Sequence, residues 1–294
     1  MNTRLLADSP VALGSKKRTW KRVIMFSVIA VASVYITLAP AVMPLYSTML
    51  FHPFKYPLGH YDQEELCGIR RQEVYFAGPH GTKLSGWFFQ VPGATKTVLF
   101  HHGQGGNLTH CLTWGRKFVQ AGASFFIYDF EGYGRSEGTP TRSGIVEDGV
   151  AAYEYLTNVR KIPTENIVDC GFSLGSGVAS SLATSHKFAG VILIAPYITL
   201  KRAALDIIPF LQAYPPPLWP ESQLGSWDYV AGNHPPLLLI HGARDNKISV
   251  LHSDELFKHA TDSKTFVRVA DRGHDDLHKA EMQPAIVTFL QSLK

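Results

Sequence analysis

The sequence predicts an α/β chain: an open, mostly parallel, doubly wound sheet carrying a short cap, preceded by one N-terminal transmembrane helix. Three observations predict it. Short, fully apolar runs of four to seven residues recur between longer amphipathic stretches. Each of several such runs ends in a loop rich in Gly, His, Asp or Ser. A long uncharged segment with a basic flank precedes the whole pattern. Apolar runs of that length suit parallel strands covered on both faces, and strand–helix alternation implies helices on both sides of the sheet.

The elements follow in order. Six of the 28 Lys and Arg residues lie within the first 22 positions, whereas Val23–Phe51 contains no charged residue over 29 positions. A helix of ~20 apolar residues crosses a bilayer core, and basic residues stay on the cytoplasmic side. Residues 1–22 therefore read as a basic cytoplasmic tail and 23–50 as a signal-anchor, with Pro40 and Pro44 bending or ending the helix. Residues 51–70 read as a linker. This orientation places residues 71–294 in the periplasm of a bacterium, or on a lumenal or extracellular face. A cleaved signal peptide ending near Ala39-Pro40-Ala41 is the alternative, and the apolar run is long for one.

Within 71–294, strands are predicted at Glu73–Ala77 and Lys83–Gln90, joined by the turn Gly78-Pro79-His80-Gly81. Further strands follow at Thr97–His101, Ala123–Asp129, Ile167–Phe172, Gly190–Ala195, Leu237–Ile240 and Thr265–Val269. Helices are expected near 108–121, 143–159, 174–186, 249–260 and 281–293. Residues 197–234, with Pro215-Pro216-Pro217, are too long for a plain connection and read as the cap. From residue 23 onward the chain has 22 basic against 23 acidic residues. Such a balance offers no basic face for nucleic acid. The three cysteines, Cys67, Cys111 and Cys170, lack metal-ligand spacing. At most one pair, Cys67–Cys111, would bridge.

Ligands of such sheets sit at the carboxyl ends of the strands, and the motifs fall there. Gly171-Phe172-Ser173-Leu174-Gly175 follows an apolar strand and opens a helix of small residues. It has the context of a nucleophile elbow, a sharp turn that lifts a serine hydroxyl into a cleft. His241-Gly242-Ala243-Arg244-Asp245 and Arg272-Gly273-His274 follow two later strands. Ser173, Asp245 and His274 thus stand in the chain order of nucleophile, orienting acid and base. Asp271, Asp275 and Asp276 are rival acids, but they lie too near His274 in sequence to reach it from another strand end. His101-His102-Gly103-Gln104-Gly105-Gly106 ends the third strand. The backbone N–H groups of Gln104 and Leu174 are candidate donors to a tetrahedral oxyanion. His102 reads as a brace for this loop. Asp129 and Ser136 read as ties within the turn Asp129–Gly138. Tyr197, Phe210, Leu211 and Trp219 are candidate substrate contacts or cap packing.

Taken together, His102-Gly103, the Asp129–Gly138 turn, the Ser173 elbow, Asp245 and His274 resemble the α/β-hydrolases over roughly residues 70–294. With the N-terminal apolar segment, Phe51-His52-Pro53 and His-Gly-Gln-Gly-Gly-Asn, the chain is similar to the membrane-anchored Bem46/ABHD-like branch, also grouped with serine aminopeptidase-like lysophospholipases. Gln104 departs from the Asn common in that branch. The resemblance implies an α/β-hydrolase fold and cleavage of carboxylic ester or thioester bonds in acyl or lipid substrates, with no metal and no organic cofactor. Two other classes stay open. An aminopeptidase-like amidase would need an acidic group for a free amine, and the cap supplies Asp206, Glu221 and Asp228. A non-catalytic interaction protein is the other. Asn107-Leu108-Thr109 is a formal glycosylation sequon, and a glycan there would crowd the oxyanion loop.

Overall fold

The structure, a computed structural model, describes residues 20–34, 37, 50–213, 224–261 and 263–293. Its strands are β1 (His52–Pro53), β2 (Glu65–Leu66), β3 (Ile69–Ala77), β4 (Lys83–Phe89), β5 (Thr97–His101), β6 (Gly105–Gly106), β7 (Ser124–Tyr128), β8 (Ile167–Phe172), β9 (Gly190–Ile194), β10 (Leu237–Gly242) and β11 (Lys264–Val269). Nine of them form one sheet in the order β11-β10-β9-β8-β5-β7-β4-β3-β2, and β1 pairs with β6 apart from it. The six strands from β7 to β11 in that order are parallel neighbours. β4, β3 and β2 continue the sheet antiparallel.

Side-chain alternation sorts the apolar runs into two layers. Val98 and Phe100 of β5, Phe125 and Ile127 of β7, and Ile192 and Ile194 of β9 face the helices Leu112–Gln120 and Gln283–Ser292. Their neighbours Leu99, Phe126 and Tyr128 face the helices Gly144–Glu154 and Leu174–Ala183. Val191 and Leu193 of β9 and Leu237 and Leu239 of β10 pack against Tyr229, Val230 and Leu256. Every residue of β5, β7, β9 and β10 is buried, so the uninterrupted apolar runs reflect cover on both faces.

Three sequence readings meet the structure differently. Residues 51–70, read as a linker, are folded onto the body: β1 pairs with the loop after β5, β2 extends the sheet, and Leu66 is fully buried. Two-residue strands are too short for sequence periodicity to register. The cysteines are all free, with Cys67 exposed and Cys111 buried, so the bridge considered between them is not formed. In the cap region the chain forms the helix Leu200–Ile207, a 3₁₀ segment Pro209–Ala213 and the short helix Trp227–Ala231. Residues 214–223, Trp219 and Glu221 included, lie outside the described residues. So do residues 1–19 and most of 35–49, which hold much of the predicted anchor. Among the described residues no helix is long and apolar enough to cross a membrane. Residues 20–34 are helical, and Val23, Ile24, Phe26, Val28 and Val31 on it are exposed.

Candidate active site

The elbow is built by its glycines. Ser173 sits between β8 and the helix Leu174–Ala183 with φ 54° and ψ −119°, a conformation that costs a non-glycine residue about 1–3 kcal/mol. The turn is tight enough that a Cβ on Gly171 would lie 2.1 Å from the carbonyl oxygen of Gly175, and one on Gly175 would lie 2.1 Å from that of His101. Only glycine fits at both places. The Ser173 N–H donates to Ile194 O of β9 (2.8 Å), and Ser176 returns both its N–H (2.9 Å) and its hydroxyl (2.6 Å) to the Ser173 carbonyl. The strained backbone is therefore tied on both sides.

Three side chains converge there from three strand ends. The Ser173 hydroxyl lies 3.0 Å from His274 Nε2, and His274 Nδ1 lies 2.6 Å from Asp245 Oδ2. Asp245 has no exposed side-chain surface. Burial alone would raise its pKa. Instead the bonds from His241 and His274, the charge interaction with His274 and the Ile248 N–H hold it well below the usual carboxylate range. Its Oδ1 accepts the N–H groups of Lys247 (2.9 Å) and Ile248 (2.8 Å). This fixes the ionised carboxylate opposite Nδ1 and so leaves Nε2 as the acceptor facing serine. The rival acids are engaged elsewhere: Asp275 pairs with Lys247 (2.7 Å), Asp276 accepts the Gly273 N–H (2.7 Å), and Asp271 is largely exposed.

His241 is a partner the sequence reading passed over. It is fully buried beneath Asp245, with Nε2 3.3 Å from Asp245 Oδ2 and 2.9 Å from Ile248 O, while the Ser253 hydroxyl reaches Nδ1 at 2.7 Å. A ring that donates at Nε2 and accepts at Nδ1 satisfies all three. The available signal was a histidine at the strand's end four residues before the acid.

The loop after β5 carries the candidate oxyanion donors. His102 is fully buried, and burial drives its pKa down to about 3. The ring is therefore neutral, donating from Nδ1 to Gly103 O (2.7 Å) and accepting the Phe130 N–H at Nε2 (3.3 Å). It braces the loop, as its sequence context predicts. The bond orients the Gly103–Gln104 peptide, whose N–H is the proposed donor. Leu174 is the first residue of its helix, where an N–H has no intrahelical acceptor. Gln104 and Leu174 both border a cavity that contains Ser173. Asp129 and Ser136 tie backbone: Asp129 Oδ1 accepts the Leu108 N–H (2.7 Å), and the Ser136 hydroxyl donates to Asp129 O (2.7 Å). Asn107 of the sequon is buried, and its amide donates to Phe54 O and Leu58 O. No room is left for a glycan in the folded chain.

Two cavities meet at Ser173. One, of about 290 Å³, is apolar, bounded by Leu50, Leu200, Ala203, Ala204, Ile207 and Tyr197. The other, of about 530 Å³, carries polar groups from His110, Lys247, His274, Asp275 and His278. Tyr197 lines the first and reaches Leu174 O with its hydroxyl (3.3 Å). Leu211 is buried and borders neither cavity, the side chain of Phe210 is not among those described, and Trp219 lies outside the described residues. Asp206 faces away, toward Arg202 and His252. Among the described residues no three His, Cys, Asp or Glu side chains gather as a metal site.

Comparison with known proteins agrees with this architecture. Residues 92–234 match the family model described as serine aminopeptidase, S33. The chain is 28% identical over 236 residues to YfhR of Escherichia coli K12, a protein described as uncharacterized, covering 75% of this chain and 81% of that one. It is 29% identical over 220 residues to the alpha/beta hydrolase domain-containing protein 17C of Xenopus tropicalis, covering 74% and 68%. Among solved structures, an esterase of Pyrococcus furiosus superposes with a TM-score of 0.67 at 22% identity, covering 83% of this chain and 98% of that one. A Xanthomonas campestris α/β serine hydrolase without lid gives 0.59 at 20%, covering 77% and 96%. The chain has the α/β-hydrolase fold.

Proposed function

We propose that this protein is a serine hydrolase of carboxylic esters or thioesters, working through Ser173, His274 and Asp245. The observation that carries the reading is the continuous bonded path from the Ser173 hydroxyl through His274 to Asp245, on a strained elbow open to two cavities. Ser173 attacks the acyl carbonyl while His274 Nε2 takes its proton, and Asp245 stabilises the imidazolium that forms. The N–H groups of Leu174 and Gln104 receive the oxyanion. His274 then protonates the leaving group, activates water and releases the acid. Side chains and backbone supply nucleophile, base and electrophile, so the reading calls for neither metal nor organic cofactor.

The paired cavities suggest how a substrate lies. The smaller one takes the acyl chain, and the larger, which carries His110, Lys247, Asp275 and His278 among apolar walls, takes the leaving group, which fits an acyl or lipid substrate such as a lysophospholipid. An aminopeptidase-like reading needs a carboxylate for a free amine. Asp275, the acidic side chain bordering the larger cavity among the described residues, is already paired with Lys247. Wild-type protein is expected to react with a fluorophosphonate probe and Ser173→Ala to remain unlabelled. p-Nitrophenyl esters and lysolipids should be turned over and aminoacyl amides should not. Folded wild-type protein that does not label would end the reading.

The N-terminal apolar segment serves as a signal-anchor in this proposal, with the tail cytoplasmic and the hydrolase domain across the membrane. The exposed apolar surface of residues 20–34 supports it, since a helix apolar all round needs lipid or protein cover. Exposed Cys67 gives the test. A membrane-impermeant thiol reagent should label it from outside intact cells or spheroplasts. Labelling only after lysis would overturn the orientation.

A further inference from the structure

The loop proposed to hold the oxyanion cannot order itself. It reads Gly103-Gln104-Gly105-Gly106, and three glycines in four residues leave the backbone wide conformational freedom. Gly106 uses it, with φ at 83°. An oxyanion donor is effective only when it is already aimed, so the order must come from groups beyond these four residues, of which the His102 ring bonded to Gly103 O is one.

Much of it comes from residues 50–58, a strap that leads out of the apolar N-terminal segment. β1 lies parallel to β6, with His52 opposite Gly105 and Pro53 opposite Gly106. The His52 N–H donates to Gln104 O (2.9 Å) and the Phe54 N–H to Gly106 O (2.8 Å). The strap is itself held. Tyr56 N–H donates to Gly134 O (2.9 Å), Gly134 N–H donates to Phe54 O (3.0 Å), and the buried Asn107 amide donates to Phe54 O (3.0 Å) and Leu58 O (2.7 Å). The Gln104 carbonyl receives a second donor, the Tyr133 hydroxyl, at 2.6 Å. Leu50 walls the apolar cavity, and His52 borders both cavities beside Ser173.

We infer that this strap is a positioning element of the catalytic site: by pairing with Gln104–Gly106 it aims the Gln104 N–H, so that turnover depends on how the N-terminal segment is seated. The inference rests on the hydrolase reading, in which that N–H receives the oxyanion. On the signal-anchor reading, the strap that orders the electrophilic site is the one that joins the domain to its tether. Detaching or pulling residues 50–58 would lower the rate while leaving Ser173, His274 and Asp245 in place.

The test uses the full chain in detergent or lipid. His52→Pro deletes the N–H donor from a strand that is already extended, and His52→Ala is its reference, matching the loss of the ring but keeping the donor. Asn107→Asp keeps the oxygen that caps Thr109 and replaces the two N–H donors that hold the strap. His52→Pro is expected to fall about 10- to 100-fold below His52→Ala in kcat on a short p-nitrophenyl ester, with KM changed by less than about threefold, since misplacing a catalytic group by an ångström costs on that order. Affinity for a trifluoromethyl ketone, which mimics the tetrahedral state, should fall in proportion to kcat/KM. Asn107→Asp should fall in the same direction and lose hydrogen-exchange protection at the Phe54 amide. Equal kcat for His52→Pro and His52→Ala would overturn the inference. So would loss of the Phe54 protection with kcat intact, or a rate loss that only tracks the unfolded fraction. A wild type that turns over no ester would instead remove the hydrolase reading itself.

Discussion

Among the described residues, two buried histidine–aspartate pairs, His274–Asp245 and His101–Asp169, have almost the same dimensions and sit in opposite circumstances. At the cleft, His274 Nδ1 meets Asp245 Oδ2 at 2.6 Å; inside the sheet, His101 Nε2 meets Asp169 Oδ1 at 2.7 Å. Each histidine has a hydroxyl on its other nitrogen, Ser173 at 3.0 Å in one case and Tyr128 at 2.7 Å in the other. Neither carboxylate has exposed side-chain surface. The difference lies in what surrounds them. Asp245 collects two backbone N–H groups and two histidines and stays ionised. Asp169 leaves Oδ2 without a hydrogen-bond partner among the described residues, and burial pushes its pKa up. Ser173 opens onto two cavities, whereas His101 and Tyr128 have no exposure. On the proposed reading, a His–Asp pair serves catalysis when its acid is held as an anion and its far nitrogen faces the cleft; without those it is a polar tie between strands.

That contrast can be broken most severely at Asp245. Asp245→Asn should lower kcat by roughly 10⁴-fold with little change in KM, because the amide favours the wrong imidazole tautomer; steady-state kinetics on a short ester measures it. Next comes the prop behind it. His241→Ala removes a hydrogen bond to a buried charge, worth about 1.5–3 kcal/mol, and should cost roughly 10- to 100-fold in kcat/KM.

The two regions also predict opposite dependence of stability on pH. Asp245 is lowered in the fold, so its stabilisation is present above the unfolded carboxylate value and is lost as pH falls through the folded one. Asp148, buried on the sheet side near Tyr128, is raised by burial to about 8. It stays protonated in the fold where the unfolded chain has released its proton. Its stabilisation is therefore greatest near or below the unfolded value of about 4 and declines as pH rises toward 8. Asp148→Asn should narrow the drop in Tm between pH 5 and pH 8 by several degrees in thermal scans, a change of about 1–2 kcal/mol in a chain of this size. The smallest effect belongs to the twin of the first substitution. Asp169→Asn keeps an oxygen for His101 and should leave kcat/KM per folded molecule within about twofold of wild type. A loss there comparable to that of Asp245→Asn would dissolve the distinction between the pairs.

Much of this site is legible in the sequence. Apolar runs such as Val98–Phe100 and Leu237–Ile240 are local signals, because strands covered on both faces need no polar alternation. The elbow is also signalled locally: a Cβ on Gly171 would lie 2.1 Å from the Gly175 carbonyl within the same turn, whereas the equally close approach at Gly175 is to His101 on the neighbouring strand β5. The chain order Ser173, Asp245, His274 follows from motifs at successive strand ends. The prop His241 was printed in the same motif as Asp245, but nothing local tells a histidine beneath a carboxylate from one that merely fills the core. The choice of Asp245 over Asp275 and Asp276 became a matter of distances only once β8, β10 and β11 were placed in one sheet.

By itself, then, the sequence determined the long apolar strands, the elbow and the candidate nucleophile it carries, because each is signalled by residues within a few positions of one another. The tertiary structure decided which histidine props the acid, which cavity is apolar, and that residues 50–58 fold back onto the Gln104 loop. The last of these joins positions some fifty residues apart through backbone hydrogen bonds. Main-chain N–H and C=O groups are the same at nearly every residue, so their choice of partner leaves no mark in the side-chain sequence.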